Sequence, residues 1–401
     1  MPTGNTRTRL LRTPARSNTH AARSSLGANR AAEYNAPLSQ LPDRYYMLNT
    51  GRQFELRLLL IVLLGLLQAC SSVTRNPLPQ ALHGDVTLLG RSDLRYWGDA
   101  AVPFEGRLDE HEVLVAKGLA SFAGISNQEH HYLAVSGGGA NGAYGAGLLV
   151  GWTASGARPR FAMVTGISTG ALIAPFAFLG PEYDDVLQKV YTTTDTTGIV
   201  NVRSLLSVVG SDAIGDTTPL ANTIERYLTD DLIEAIGAEY RTGRTLLIGT
   251  TNLDAGRPVL WNIGRIANTG HPDAPDLIRK ILRASASIPG AFSPVYIPVQ
   301  AADGKTYDEM HVDGGASSQL FLYPAQLDWD DVIERLNVVG RPKAYLIRNS
   351  RLTPEFEETD PRVSAILGRT IDALIRSQGT GDIYRIYAIA QRDDITVDLS
   401  W

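Results

Sequence analysis

Residues 160–178 read RFAMVTGISTGALIAPFAF. This stretch begins as a short apolar run, passes through Gly-Ile-Ser-Thr-Gly, and continues as a longer run of small and apolar residues. Short apolar runs that end in glycine are typical of buried strands, and longer ones are typical of buried helices. Glycine permits the backbone angles of a sharp turn. The stretch therefore predicts a strand, a tight turn at Ser168 and a helix through Phe178.

The same arrangement occurs about thirty residues earlier, as expected for consecutive β-α units. His131 to Ser136 (HYLAVS) is an apolar run that breaks into glycines and leads into a helix pattern from Asn141 to Ala154. Such units form parallel strands with helices on the sheet. The sequence predicts a three-layer α/β/α sandwich with a central mostly parallel sheet. Further strands are expected at 245–251, 259–263, 310–312 and 343–348, and further helices at 276–285 and 363–377.

Ser168 lies in the pattern Gly166-x-Ser168-x-Gly170, between the predicted strand and helix. This is the pattern of a nucleophile elbow, in which a strained turn exposes a serine hydroxyl. The positive end of the following helix favours negative charge that develops nearby. The alternative is an ordinary turn capped by a serine. The context favours Ser168 as a nucleophile.

The glycine-rich loop Ser136-Gly-Gly-Gly-Ala-Asn-Gly142 permits two interpretations. Its spacing fits a dinucleotide-binding loop, but such a loop requires an acidic residue about twenty positions later. No Asp or Glu occurs between Gly142 and Glu182. The second interpretation is an oxyanion hole, in which the backbone N–H groups of Gly137, Gly138 and Gly139 stabilise a tetrahedral oxyanion.

A serine nucleophile needs a base, which is ordinarily histidine. No histidine follows Asp313, so Asp313 cannot belong to a triad in the order Ser, Asp, His. His271 and His311 remain alternatives only in combination with another acid. His311 precedes Asp313 by two residues and is expected to pack or to form a local hydrogen bond.

The motifs SGGGANG (136–142), GISTG (166–170) and DGG (313–315), in this order, resemble the patatin-like phospholipases. The similarity covers roughly residues 130–320, including the segments DTTPL at 216–220 and SASIPGAFSPV at 285–295. The resemblance implies a Ser168–Asp313 dyad that cleaves lipid acyl esters, with the glycine loop as oxyanion hole. It also implies supporting roles for further motif residues, namely Asn141, Gly142, Gly166, Gly170, Gly314 and Gly315.

Asn141 departs from the resemblance, since the family usually has Arg or Lys at this position. Asn141 forms hydrogen bonds but carries no charge, which puts a preference for phosphate headgroups in doubt and leaves neutral lipids open. A small-ester esterase or thioesterase is one alternative function. A lipid-binding envelope protein without turnover is another.

The N-terminal region predicts a lipid anchor. The apolar run LLLIVLLGLL (58–67) is shorter than the roughly 18 residues that span a bilayer, but it has the length of a signal-peptide core. It follows Arg52 and Arg57 and leads to Leu-Gln-Ala-Cys70, which resembles a bacterial lipobox. We expect a doubtful or disordered leader at 1–46, a signal peptide at 47–69, a tether and N-terminal extension at 70–126, and the hydrolase domain at 127–401. Lipidation at Cys70 implies attachment to a bacterial envelope membrane on the periplasmic side, with the outer membrane favoured.

Composition excludes several classes of partner. Lysine and arginine number 37 against 42 acidic residues, a balance that argues against nucleic-acid binding. The single cysteine, Cys70, rules out an intrachain disulfide and a thiolate metal cluster. No metal-ligand spacing appears, so we expect catalysis without a metal or cofactor. The expected partners are a lipid or phospholipid substrate and a membrane, and the sequence does not define an oligomeric state.

Overall fold

The computed structural model describes residues 75–100, 105–193, 201–202, 215–323 and 329–401. Cys70, the leader and the signal peptide lie outside these residues. Twelve strands occur in the described part of the chain: β1 (Val86–Thr87), β2 (Arg95–Trp97), β3 (His131–Val135), β4 (Met163–Ile167), β5 (Asn201–Val202), β6 (Gly215–Asp216), β7 (Thr245–Asn252), β8 (Arg257–Asn262), β9 (Val295–Ala301), β10 (Thr306–Asp313), β11 (Lys343–Ile347) and β12 (Thr396–Ser400).

Ten α-helices accompany them in the same described ranges: α1 (Glu105–Ala116), α2 (Gly142–Ala154), α3 (Thr169–Leu179), α4 (Asp184–Thr193), α5 (Thr218–Tyr227), α6 (Asp230–Arg241), α7 (Ile263–Ala267), α8 (Ala274–Ser285), α9 (Trp329–Leu336) and α10 (Val363–Arg392). The predicted helix at 363–377 is the first half of α10, which continues for another four turns. Among the described residues, no helix combines the length and apolarity needed to cross a bilayer.

The parallel part of the main sheet has the strand order β7-β4-β3-β11-β12. Each neighbouring pair in this block is parallel, with registers such as Leu133 opposite Val164 and Val135 opposite Gly166. The two β-α units read from the sequence are β3-α2 and β4-α3. The prediction of an α/β fold around a largely parallel sheet is confirmed.

Both faces of this sheet are covered. Leu133 and Val135 on β3 belong to a large apolar core that includes helix residues such as Leu149 and Ile278. The alternate residues Tyr132 and Ala134 pack into a second core with α9 and α10. Since successive side chains of a strand point to opposite faces, these two cores lie on opposite sides of the sheet. This produces the three layers.

Antiparallel strands extend the sheet beyond β7, which the sequence did not predict. β9 and β10 form a hairpin, β10 and β8 each pair with β7, and β1 and β2 join through β9 and β8. β4 and β10 lie along successive parts of the same edge of β7, with β4 parallel to β7 and β10 antiparallel. Ile167 pairs with Gly249, and Asp313 pairs with the next residue, Thr250. The C-terminal ends of β4 and β10 therefore face each other along the edge of β7.

Candidate active site

Ser168 occupies a strained turn between β4 and α3. Its backbone angles are φ 56° and ψ −125°, in a region that non-glycine residues rarely adopt. The flanking glycines are required by packing. A Cβ atom on Gly166 would lie 2.5 Å from the Gly170 carbonyl oxygen, and one on Gly170 would lie 2.2 Å from the Val135 carbonyl oxygen. The predicted elbow at 166–170 thus has its geometric reason in the close approach of three backbone segments.

The head-on meeting of β4 and β10 brings Ser168 to Asp313. The Ser168 hydroxyl donates a hydrogen bond to Asp313 Oδ2 at 2.6 Å. Both side chains are buried, at 7% and 5% exposure. The second oxygen, Oδ1, accepts the Gly315 backbone N–H at 2.7 Å. The carboxylate is therefore held at both oxygens with one oxygen on the serine.

Burial raises the pKa of Asp313 to about 6, because the charged form loses its hydration. The hydrogen bonds from Ser168 and Gly315 act in the opposite direction and stabilise the carboxylate. Burial outweighs both of these bonds. Asp313 therefore has the proton affinity of a base that works near neutral pH.

The glycine loop lies directly against Ser168. A Cβ atom on Gly137 would lie 3.1 Å from Ser168 Cβ and 3.7 Å from its Oγ, and one on Gly138 would overlap the Asn349 carbonyl oxygen. Within the described ranges, the backbone N–H groups of Gly137 and Gly138 donate no hydrogen bond to another protein group. The loop thus brings two uncommitted donors close to the serine. Gly139 has a φ of 54° and begins the turn that leads into α2.

Asn349, which the sequence reading missed, holds this loop in place. Its side chain donates to the Ser136 carbonyl at 2.9 Å and accepts the Gly145 N–H at 3.0 Å. Its backbone N–H donates to Ser136 Oγ at 2.9 Å. Asn349 directly follows β11 and Arg348, so only the pairing of β11 with β3 places it here. No local motif marks such a residue.

Ser285 is a second residue that the sequence reading missed, although it begins the SASIPGAFSPV segment. Its hydroxyl accepts the Ser168 backbone N–H at 3.0 Å and donates to the Gly249 carbonyl at 2.6 Å. It is fully buried. Ser285 therefore links the elbow to β7 and satisfies the amide of the strained residue.

The other motif residues support the site through close packing. A Cβ atom on Gly142 would overlap Thr169 Oγ1, and one on Gly314 would lie 2.4 Å from the Gly249 carbonyl oxygen. A Cβ atom on Gly315 would lie 2.5 Å from Gln319 Nε2. Asn141 is exposed at the entrance of the site.

The two candidate histidines form their hydrogen bonds with residues other than Ser168 and Asp313. His311 is fully buried, with Nδ1 3.0 Å from Thr250 Oγ1 and Nε2 3.2 Å from Glu309 Oε2, and Glu309 also pairs with Arg95. Burial lowers the pKa of His311. His271 precedes α8 and accepts the Asp273 backbone N–H at 3.2 Å. Neither histidine forms a hydrogen bond with Ser168 or Asp313.

Ser168 and Asp313 lie at the bottom of an open groove of about 960 Å³. The glycine loop and the DGG segment line one part of it, and residues 350–355 together with residues 369–378 of α10 line another part, which we call the α10 wall. Apolar side chains on this lining include Ile288, Ile371 and Leu374, and polar ones include Arg351, Arg369 and Arg376. The groove can hold a ligand with an apolar and a charged portion.

Among the described residues, no group of three or more His, Cys, Asp or Glu side chains is placed to hold a metal ion. The polar groups beside Ser168 are a carboxylate, backbone amides and the Gln319 side chain, whose Nε2 donates to the Gly315 carbonyl at 2.8 Å. This set of groups suits acyl transfer by a serine.

Comparison with known proteins agrees with the motifs. The family model described as patatin-like phospholipase matches residues 133–325. No curated protein matches the chain. Among solved structures, the crystal structure of VipD from Legionella pneumophila matches at 13% sequence identity and a TM-score of 0.33, covering 62% of this chain and 54% of that one. This chain thus aligns with about half the length of VipD. The match to the family model spans the elbow, the glycine loop and the DGG segment, so residues 133–325 are similar to the patatin-like phospholipase domain.

Proposed function

We propose that this protein is a serine acyl hydrolase of lipid esters in which Ser168 is the nucleophile and Asp313 the general base. The observation that carries the proposal is the 2.6 Å hydrogen bond from the Ser168 hydroxyl to Asp313 Oδ2, at a strained elbow on the floor of a large groove. A strained nucleophile in direct contact with a buried carboxylate is costly to maintain, and such sites are typically functional.

The chemistry follows from the two side chains. Ionised Asp313 accepts the proton of Ser168 as Oγ attacks the ester carbonyl carbon. Collapse of the tetrahedral intermediate breaks the ester bond, and Asp313 gives its proton to the leaving alcohol. Asp313 then takes a proton from water as the water attacks the acyl-serine, and gives it to Ser168 Oγ as the acyl–oxygen bond breaks, which releases the fatty acid and restores ionised Asp313.

The glycine loop supplies the stabilisation of the oxyanion in this proposal. The free N–H groups of Gly137 and Gly138 lie beside Ser168, and α3 begins there with its positive dipole end. One such donor is typically worth about 3–4 kcal/mol of transition-state stabilisation. The N–H of Ser168 is not part of the hole, because it is bound to Ser285.

A lipid ester suits the groove better than a small ester. The lining carries the exposed apolar residues Ile371 and Leu374, which can contact an acyl chain. A lipid anchor at Cys70, proposed from sequence alone, would hold the enzyme at a membrane that contains such substrates. Rates on esters of increasing acyl length separate the two activities, because a lipase should gain in kcat/KM with chain length and a small-ester esterase should lose.

The direct test is labelling with a fluorophosphonate probe, which reacts with activated serines. The wild type should be labelled and should hydrolyse a long-chain ester, and Ser168→Ala should do neither while remaining folded. The matched control is Ser350→Ala, which removes another serine of the same groove. Retained labelling in Ser168→Ala would exclude Ser168 as the nucleophile, and an unlabelled, inactive wild type would favour a non-catalytic lipid-binding protein.

A further inference from the structure

The α10 wall of the groove comes from outside the segment that matches the family model. The family match ends at residue 325, whereas α10 runs from Val363 to Arg392. Seven residues of this helix line the groove, from Arg369 to Gln378. Any selectivity that this helix confers belongs to this chain rather than to the shared motifs.

Three arginines lie on this wall, and two of them already have acidic partners. Arg351 pairs with the Glu355 carboxylate at 2.9 Å. Arg369 lies 3.5 Å from Glu357 and also donates to a backbone carbonyl. These two cations are largely neutralised within the wall itself.

Arg376 differs from both. Among the residues that the structure describes, no carboxylate lies within 4 Å of its guanidinium, and the group donates no hydrogen bond to the protein. Arg376 is partly buried, so water compensates its charge less than at an exposed site. Asp372, one helical turn earlier, also lines the groove, but its carboxylate does not lie within 4 Å of the Arg376 guanidinium.

A second guanidinium, that of Arg348, lies next to Arg376. Arg348 is 3% exposed and lies beneath α10, where its Nη2 donates to the Arg376 backbone carbonyl at 3.3 Å. Burial lowers the pKa of Arg348, the nearby Asp382 carboxylate raises it, and the neighbouring charge of Arg376 lowers it. Arg376 lines the groove whereas Arg348 does not, and among the described residues the Arg376 guanidinium has no acidic partner. An anion bound there would give the Arg376 guanidinium a charged partner.

We propose that Arg376 binds an anionic group of the substrate, a phosphate ester in the headgroup, and so supplies the positive charge that Asn141 does not. This inference rests on the proposed function, because it assigns the headgroup end of the same groove. It makes Arg376 a specificity-determining residue, with Asp372 as an opposing charge.

The test compares two substrates with the same acyl chains, dioleoyl phosphatidylglycerol and dioleoylglycerol, in nonionic detergent micelles. Arg376→Gln should raise KM for phosphatidylglycerol, with a loss in kcat/KM of about ten- to hundred-fold, because a charged hydrogen bond is removed. Its kcat/KM for dioleoylglycerol should stay near that of the wild type. Asp372→Asn should shift the preference towards phosphatidylglycerol.

Arg369→Gln is the matched control, since it removes a paired arginine from the same helix. It should change both substrates equally. Equal loss on both substrates in Arg376→Gln, or the same selective loss in Arg369→Gln, would overturn the assignment. Intact turnover of dioleoylglycerol by Arg376→Gln shows that the variant is folded. A wild type that is inactive on both lipids would refute the proposed function rather than the role of Arg376.

Discussion

At the scale of single residues, Asp313 has the most demanding role, because its environment opposes the charge that its proposed chemistry needs. Asp313→Asn should lower kcat by about 10²–10⁴-fold, the usual worth of a general base. Asparagine keeps the shape and can still accept the Gly315 N–H, but its amide group donates to Ser168 Oγ instead of accepting from it and cannot take a proton. Steady-state rates on a long-chain ester measure the effect.

Histidine variants are the controls for this prediction. His271→Ala removes a partly exposed ring, and His311→Gln keeps a polar side chain beside Glu309 and Thr250. Both variants should retain most of the wild-type kcat. Loss of turnover in folded His311→Gln, together with retention in Asp313→Asn, would replace the dyad with a histidine-dependent mechanism.

The raised pKa of Asp313 also predicts opposite pH responses of rate and stability. Turnover should rise with pH through about 6, since the ionised carboxylate is the active form. The folded state binds this proton more tightly than the unfolded state, where the pKa is near 3.8. The carboxyl's contribution to stability is therefore complete below about 3.8 and is lost as pH rises through about 6, at a cost of about 3 kcal/mol at most.

Asp313→Asn removes this titration and should be more stable than the wild type at pH 8. The difference in the free energy of unfolding between the variant and the wild type should shrink as the pH falls from 6 to 4. Thermal unfolding at several pH values measures it, with Asp372→Asn as an exposed control. An advantage that is independent of pH would mean that the folded carboxyl titrates at its ordinary value.

At the scale of elements, the connection between the elbow and β7 passes through Ser285 on α8. Ser285→Ala leaves the Ser168 N–H and the Gly249 carbonyl without their partner, at a cost of about 1–3 kcal/mol for each buried group. We expect a lower urea midpoint and a fall in kcat with little change in KM, because Ser285 positions the nucleophile without lining the groove. Ser287→Ala is the control, since that buried hydroxyl donates only to the Arg283 carbonyl. Equal kcat values for the two variants would deny Ser285 a positioning role.

The parallel part of the fold and the elbow could be predicted from sequence because their signals are local. β3, α2, α3, β7 and α8 begin and end within a few residues of the predicted bounds. The pairing of Ser168 with Asp313 came from the family resemblance, and the register of β4 and β10 on β7 supplies its physical reason. Ser285, Asn349 and Arg376 could not be found in this way, because each acts through a long-range contact with no sequence pattern of its own.

At the scale of the whole molecule, the N-terminal prediction concerns attachment rather than catalysis. Cys70→Ala should abolish labelling by a fatty-acid analogue and prevent processing, since the thiol is the expected site of lipidation. Each buried methylene of an acyl chain adds about 0.8 kcal/mol of membrane affinity. Soluble enzyme carrying this substitution should keep its kcat on micellar substrates. Equal labelling of wild type and variant, or a mature N-terminus upstream of residue 70, would refute the lipobox.

The meeting of β4 and β10 along β7 also constrains how the protein acquires activity as it folds. Ser168 and Asp313 are 145 residues apart in the chain, yet the strands that carry them are positioned by pairing with adjacent residues of β7. Contacts of such long range carry a high loop-closure entropy and form slowly. An amino-terminal fragment that ends before β10 cannot assemble the pair. The return of turnover during refolding therefore reports the docking of β10 on β7, and helix formation alone should precede it without restoring any hydrolysis.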